Sequence, residues 1–268
     1  MDIIRTLKDS PDSGPPMPAI FVGHGSPMNA IEDNEFSRGW AAVGKSLPRP
    51  KAILCISAHW ETFGTHATAM EHPRTIHDFR GFPAELRAVE YPAPGAPEIA
   101  RLARETARKM RIVPDFDWGF DHGAWSVLCR MFPLADVPVV QLSLDRTLSP
   151  ASHYELGSEL QSLRRKGVML VGSGNIVHNL NQIVWQDTAF DWAREFDRKV
   201  KEAVLASDHA SLIDYSRLGA AAGLSVPTAE HYLPLLYILS QQGKGEDVRF
   251  FAEKVTLGSI SMTSLVVG

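Results

Sequence analysis

The chain has 268 residues, 44% apolar and 22% charged, the balance of an ordinary globular protein long enough to bury a core without staples. Its net charge of −4 is too mild for a nucleic-acid or anionic-membrane partner. Only two cysteines, Cys55 and Cys129, argue against a disulfide framework, and no apolar run approaches the roughly 20 residues of a membrane helix.

The opening Met1-Asp2-Ile3-Ile4-Arg5 lacks a signal-peptide pattern, so a reducing cytoplasm is the expected compartment. Residues 1–17 read as a loose lead-in, because Pro, Ser, Asp and Gly crowd positions 8–18. Residues 18–268 then read as one domain. The apolar runs Ala19-Ile20-Phe21-Val22, Ala52-Ile53-Leu54-Cys55-Ile56, Val137 to Leu142 and Val168-Met169-Leu170-Val171 predict buried strands. Both cysteines are expected to be buried thiols.

Helical patterns separate these strands, over Arg101 to Met110, Ser149 to Arg165 and Asp187 to Ala206. Ser149 and Pro150 suit a helix start, and Gly167 suits its end. The tail, Val248 to Val267, returns to strand character with a turn at Gly258. Alternation of strand and helix predicts a single-domain α/β fold. Its central sheet is mostly parallel and flanked by helices, with an antiparallel edge toward the C-terminus.

Histidines fall at the strand ends. His24 follows the first run, His59 the second and His178 the last, and ligands of open α/β sheets gather outside the carboxyl ends of the strands. Gly23, Gly25, Gly172 and Gly174 beside them permit sharp turns or close backbone approach. Gly172-Ser173-Gly174 lacks the rest of a dinucleotide fingerprint. His231 lies in Pro227-Thr228-Ala229-Glu230-His231-Tyr232-Leu233, where Thr228 is a candidate cap for a short helix. Any one of these histidines alone reads as a hydrogen-bonded structural residue, but four at converging positions point to a metal ion. His122, beside Asp121 and Trp125, stands between a structural role and a substrate-facing one. His77 sits in a loop suited to line a cleft. His66, His72, His153 and His209 read as surface residues.

The segments Gly23-His24-Gly25-Ser26-Pro27, Ser57-Ala58-His59-Trp60, His77-Asp78-Phe79, Gly81-Phe82-Pro83, Tyr91-Pro92-Ala93-Pro94-Gly95, Asp121-His122-Gly123, Gly172-Ser173-Gly174-Asn175 and Glu230-His231-Tyr232-Leu233-Pro234-Leu235 together resemble the 4,5-DOPA extradiol dioxygenase family. That family is a branch of the class III extradiol ring-cleavage dioxygenases, related to the protocatechuate 4,5-dioxygenase catalytic subunit. The resemblance runs from about residue 18 to the C-terminus. It implies Fe(II), with Zn(II) found in the same kind of site, and O2 as co-substrate for opening a catechol ring. It assigns His24, His59 and His231 as metal ligands, His178 as a further ligand or the acid–base residue, and His122 as a residue facing substrate and oxygen.

The wider class uses two histidines and a carboxylate, so Glu230 competes with His231 for the third position. Adjacent helical residues point about 100° apart, and both cannot serve one ion. His231 is favoured. Trp60, Phe79, Phe82 and Trp125, with His77, are candidates for the wall against a small aromatic diol, although core packing explains each aromatic as well. The chain is expected as a monomer or small homo-oligomer. Two other readings stay open, a zinc-dependent hydrolase on the same scaffold and a non-enzymatic metal-binding relative.

Overall fold

Residues 15–268 are described by the computed structural model, so residues 1–14, most of the expected lead-in, lie outside the described residues. Strand alternation decides where the core sits. In β1 (Ala19–Gly23), Ala19 and Phe21 join one apolar cluster while Ile20 and Val22 join another on the opposite face. β2 (Ala52–Thr62) splits Ala52, Leu54 and Ile56 from Ile53 and Cys55 in the same way. A strand buried on both faces has no polar side, which is why these runs are continuously apolar.

The main sheet has eight strands, completed by β3 (Thr65–Thr68), β4 (Ile112–Asp115), β5 (Val139–Asp145), β6 (Val168–Gly174), β7 (Val248–Phe251) and β8 (Ser264–Val267). Their order is β4-β3-β5-β2-β6-β1-β8-β7. The centre, β5-β2-β6-β1, is parallel. β8 pairs antiparallel with both β1 and β7, closing one edge. β3 is antiparallel to β5 and parallel to β4 at the other edge. The α/β class, the parallel centre and the antiparallel C-terminal edge agree with expectation.

Helices cover both faces. Ala96, Ile99 and Ala103 of the segment around α2 (Pro97–Thr106), with Leu156 of α4 (Pro150–Glu159), Phe196 and Val200 of α5 (Asp191–Leu205) and the apolar α6 (Leu233–Leu239), pack on one side. Trp40 of α1 (Glu35–Ser46) and Trp125 and Leu128 of α3 (His122–Met131) pack on the other. The apolar surface these faces remove from water contributes about 25 cal/mol per Å2.

Helix boundaries moved in three places. α2 starts at Pro97, whose fixed φ suits the first turn, and ends at Thr106, short of Met110. The helix expected over Ser149 to Arg165 breaks after Glu159 and resumes as a single turn, Ser162–Arg165. α5 begins only at Asp191, because Asp187 is drawn into contact with Lys254. Cys55 is buried, whereas Cys129 is half-buried, and both are free. Among the described residues no helix is long and apolar enough to cross a membrane.

Candidate metal centre and active site

The carboxyl ends of the central strands deliver the histidines. β1 ends at Gly23 and His24 follows at once, with Gly25 at φ +55 turning the chain away. β6 ends at Gly174, and Asn175 N–H donates to the His231 carbonyl at 2.8 Å, which ties the segment before α6 to this strand. A Cβ on Gly174 would collide with that carbonyl, so only glycine permits the approach. Of the four glycines expected to allow sharp turns and close approach, Gly172 and Gly174 are strand residues that permit the approach, and Gly25 makes the turn. β2 runs past His59 to Thr62, with a register shift between Ile56 and Glu61, so His59 projects from within a strand rather than after one.

His24 Nε2 and His59 Nε2 lie 3.2 Å apart. One ring nitrogen each of His24, His59 and His231 falls within 4.8 Å of the others. The hydrogen bonds behind these rings set which nitrogen faces inward. Ser173 Oγ donates to the Gly123 carbonyl at 2.6 Å, so it accepts from His24 Nδ1 at 2.9 Å, and His24 Nε2 carries the lone pair. His231 Nδ1 donates to Glu230 Oε1 at 2.9 Å, leaving Nε2 as an acceptor. That Nε2 is buried with no hydrogen-bond partner among the described residues. A buried orphan facing two further imidazole nitrogens is the arrangement a cation satisfies. The donor set therefore fits a metal ion, with Ser173 and Glu230 as the supporting partners that such ligands need. Thr228 caps no helix; its hydroxyl donates to Glu230 Oε1 at 2.9 Å.

Electrostatics points the same way. Burial, reinforced by the neighbouring histidines, holds His24 and His231 well below the ordinary histidine range. Burial first, then His122, lowers His59 to about 3, against the pull of Asp78. All three are neutral near pH 7, the form a metal takes.

Two more histidines complete the cluster. His178 stacks on His231 with ring centroids 3.4 Å apart and planes at 7°, its backbone N–H donating to the Ser225 carbonyl at 2.9 Å. Burial lowers it to about 4 despite the nearby Glu230 carboxylate. His122 opens α3, whose cap is Asp121. Asp121 is fully buried, accepts from Ser57 Oγ at 2.6 Å, and contacts the Gln141 amide. It thus locks the middle of β2 to the start of α3. Burial, then the charge of Asp78, raises the Asp121 carboxyl.

Asp78 was named in the sequence only as part of a motif, yet it stands between two site histidines. Its Oδ1 lies 2.9 Å from His122 Nδ1 and accepts the His122 backbone N–H at 2.9 Å, and its Oδ2 is 3.7 Å from His59 Nδ1. Burial alone would raise this carboxyl; hydrogen bonding and charge at His122 outweigh it and lower it.

The five histidines meet a cavity of about 240 Å3, below the roughly 300–1,000 Å3 of drug-sized sites, and so scaled to a small molecule. The catalytic LigB subunit of aromatic ring-opening dioxygenases, as a family, matches residues 17–267. The chain belongs to this family. It is 46% identical to a 4,5-DOPA dioxygenase extradiol of Escherichia coli K12, over 98% of each chain. It is 37% identical to the protein of that name in Beta vulgaris, over 84% of this chain and 87% of the relative. A solved structure of an uncharacterised Escherichia coli K12 protein superposes with a TM-score of 0.83 at 43% identity, covering 94% of this chain and all of that one. The chain is accordingly an extradiol ring-opening dioxygenase, metal-dependent as its family is. The hydrolase and non-enzymatic readings fall away.

In this dioxygenase Phe79 and Phe82 line the cavity, but Trp60, Trp125 and His77 do not. Trp60 neighbours His59 on an extended strand, so it points to the other face, where it stacks on Trp118 at 5.5 Å. Trp125 is fully buried and donates through Nε1 to the Ile76 carbonyl at 2.8 Å. His77 Nε2 spends its proton on the Val89 carbonyl at 2.9 Å, with Trp125 against its ring at 5.5 Å. Both buttress the loop that carries Phe79. Pro27 of the Gly23–Pro27 motif also lines the cavity, and Leu180, Ile183, Trp185, Leu257 and Ile260, unsignalled by any motif, supply the rest of the apolar wall. His153, expected at the surface, is fully buried against Tyr237, its Nδ1 3.0 Å from the phenol oxygen. His66 and His209 are half-buried, and His72 is exposed.

Proposed function

We propose that His24, His59 and His231 hold one Fe(II) ion through their Nε2 atoms, and that the enzyme of residues 18–268 opens a catechol ring beside its two hydroxyls with O2. The buried, unpartnered His231 Nε2, facing the His24–His59 pair, carries this reading. A three-histidine set has one negative charge less than two histidines and a carboxylate, and Zn(II) suits it as well. Glu230 is engaged by His231 Nδ1 and by Thr228, which supports His231 over Glu230 as the third ligand. When bound, iron supplies Lewis acidity toward the catechol oxygens and the redox capacity that oxygen chemistry requires.

The chain's own residues do the rest. His178, neutral at pH 7, is placed to take a proton from a catechol hydroxyl, with Glu230 stabilising the cation that results. Its stacking on His231 fixes the ring beside the site without spending its imidazole on a ligand role. His122, with the Asp78 carboxylate at its Nδ1, presents the opposite ring edge to the cavity, where it orients substrate and donates a proton. Phe79 meets His122 edge-on at 5.5 Å and Phe82 at 5.2 Å, and this pair keeps water from one side of the aromatic ring. The relatives' name, 4,5-DOPA dioxygenase extradiol, supports a substituted catechol as the substrate. A reducing cytoplasm accords with two free thiols.

The test is anaerobic loading with Fe(II), then oxygen uptake against a panel of catechols, with a parallel Zn(II)-loaded sample. Oxygen consumption with a yellow ring-opened semialdehyde, in the iron sample only, is expected. Silence across the panel with iron content verified contradicts the assignment.

A further inference from the structure

The charge pattern of the cavity bears on which catechol enters it, an inference that rests on ring cleavage at the histidine cluster. Burial sets the direction of the cavity. His24 and His231 are 2% and 6% exposed at the floor, whereas Leu180 and Trp185 are 60% and 76% exposed at the mouth. With both hydroxyls turned to the histidines, the substituent on the far side of the ring leads to the mouth.

The wall along that path is apolar. Leu180, Ile183, Trp185 and Leu257 form one side and Phe79 and Phe82 the other. Among the described residues that line it there is no lysine, arginine or carboxylate. Neighbouring cations are engaged elsewhere. Lys254 reaches Glu35 and Asp187, each at 2.7 Å. Arg130 donates to the Asn29 and Glu32 carbonyls, both at 2.9 Å, and Arg87 to the Phe82 carbonyl at 2.8 Å. Arg80, between the two phenylalanines in sequence, is exposed and outside the lining. The wall is also held in place. Val184 N–H donates to the Leu257 carbonyl and Phe190 N–H to the Gly258 carbonyl, each at 2.9 Å. Exposed leucine and tryptophan held on a pinned rim form a surface waiting for an apolar group.

We propose that the enzyme prefers catechols whose substituent opposite the hydroxyls is uncharged and apolar over those whose substituent carries a carboxylate. An anion drawn along this wall gives up water and meets no cation among the described residues that line it. Each methylene buried there raises kcat/KM by up to about fourfold. The charged amino-acid group of DOPA must remain in water beyond Trp185, so DOPA ranks below a neutral catechol of similar length.

The experiment measures kcat/KM by oxygen uptake, with Fe(II)-loaded enzyme, for catechol, 4-methyl-, 4-ethyl- and 4-propylcatechol, and for 3,4-dihydroxyphenylpropionate and DOPA. Anaerobic calorimetry of the same compounds reads the preference as binding, independently of turnover. The alkyl series is expected to climb with each carbon. 4-Propylcatechol is expected to exceed dihydroxyphenylpropionate by roughly tenfold or more, chiefly through KM. Trp185→Ala should make the alkyl series less steep, and Trp185→Arg should narrow the gap between propyl and propionate. A flat series, or a carboxylated catechol that binds or turns over as well as the propyl compound, overturns the proposal. Loss of turnover for every catechol, with the alkyl preference intact in calorimetry, would instead count against the ring-cleavage reading.

Discussion

The floor and the mouth of one cavity are built on opposite principles. At the floor, His24, His122 and His231 are buried and His59 is half-buried, and each of the four has a partner: Ser173 behind His24, Glu230 behind His231, Asp78 between His59 and His122. At the mouth, Leu180 and Trp185 are exposed and apolar, on a segment held by backbone hydrogen bonds and by the Asn179 and Ser259 side chains. The floor fixes ring orientation and tautomer, which is what metal and proton chemistry demand. The mouth fixes only shape and polarity, which is what selection among substrates demands. Chemistry and specificity are thus separable along the cavity.

The sharpest way to break this comparison is at the floor. His24→Ala should lose bound metal and reduce turnover well beyond the roughly 100-fold that removal of a supporting residue costs, checked by metal analysis and oxygen uptake.

His153 tests whether burial alone explains the neutral histidines. Like His231 it has a buried Nε2 without a hydrogen-bond partner among the described residues, but no other histidine accompanies it. Burial lowers it from 6.5 to about 4. Between those values the unfolded chain binds a proton that the folded chain does not, so stability is full above the upper value and falls as pH drops toward the lower one. The residue's share of that loss is up to about 3 kcal/mol. Thermal melts from pH 7 to pH 4 on wild type and His153→Gln should show a shallower decline in the variant, with metal content unchanged at pH 7.

Glu230→Ala leaves the ligand nitrogen in place but frees its ring. A loss of about 10–100-fold in metal affinity or activity is expected. Iron titration should show that loss to be smaller than that of His231→Ala; the reverse order would make Glu230 the ligand. The smallest effects belong to the mouth. Trp185→Ala should change the ranking of substrates by less than about tenfold and leave metal affinity as it was, since an exposed side chain supplies only part of its apolar area.

The floor was legible in the sequence because its signals are local. An apolar run that stops at Gly23-His24 announces a strand end, and β6 announces itself the same way before His178. His59 shows the limit: β2 continues six residues past Ile56 because its partner β5 extends with it to Asp145, a tertiary fact. The mouth was illegible. Leu180 and Trp185 lie in the segment after β6 and Leu257 lies far along the chain, with no period to betray them, and hydrogen bonds such as Val184–Leu257 and Phe190–Gly258 bring the two segments together. His77 and Trp125 misled for a related reason. Aromatic residues beside a site serve equally as walls or as the layer behind the wall, and only contact geometry separates the two.

Iron stoichiometry tests the central claim most directly. Wild type, His178→Ala and His231→Ala, each loaded anaerobically with Fe(II) and desalted, should retain one iron per chain in the first two and none in the third. Retention by His231→Ala, or loss in His178→Ala, would contradict a three-histidine centre with His178 free to move protons.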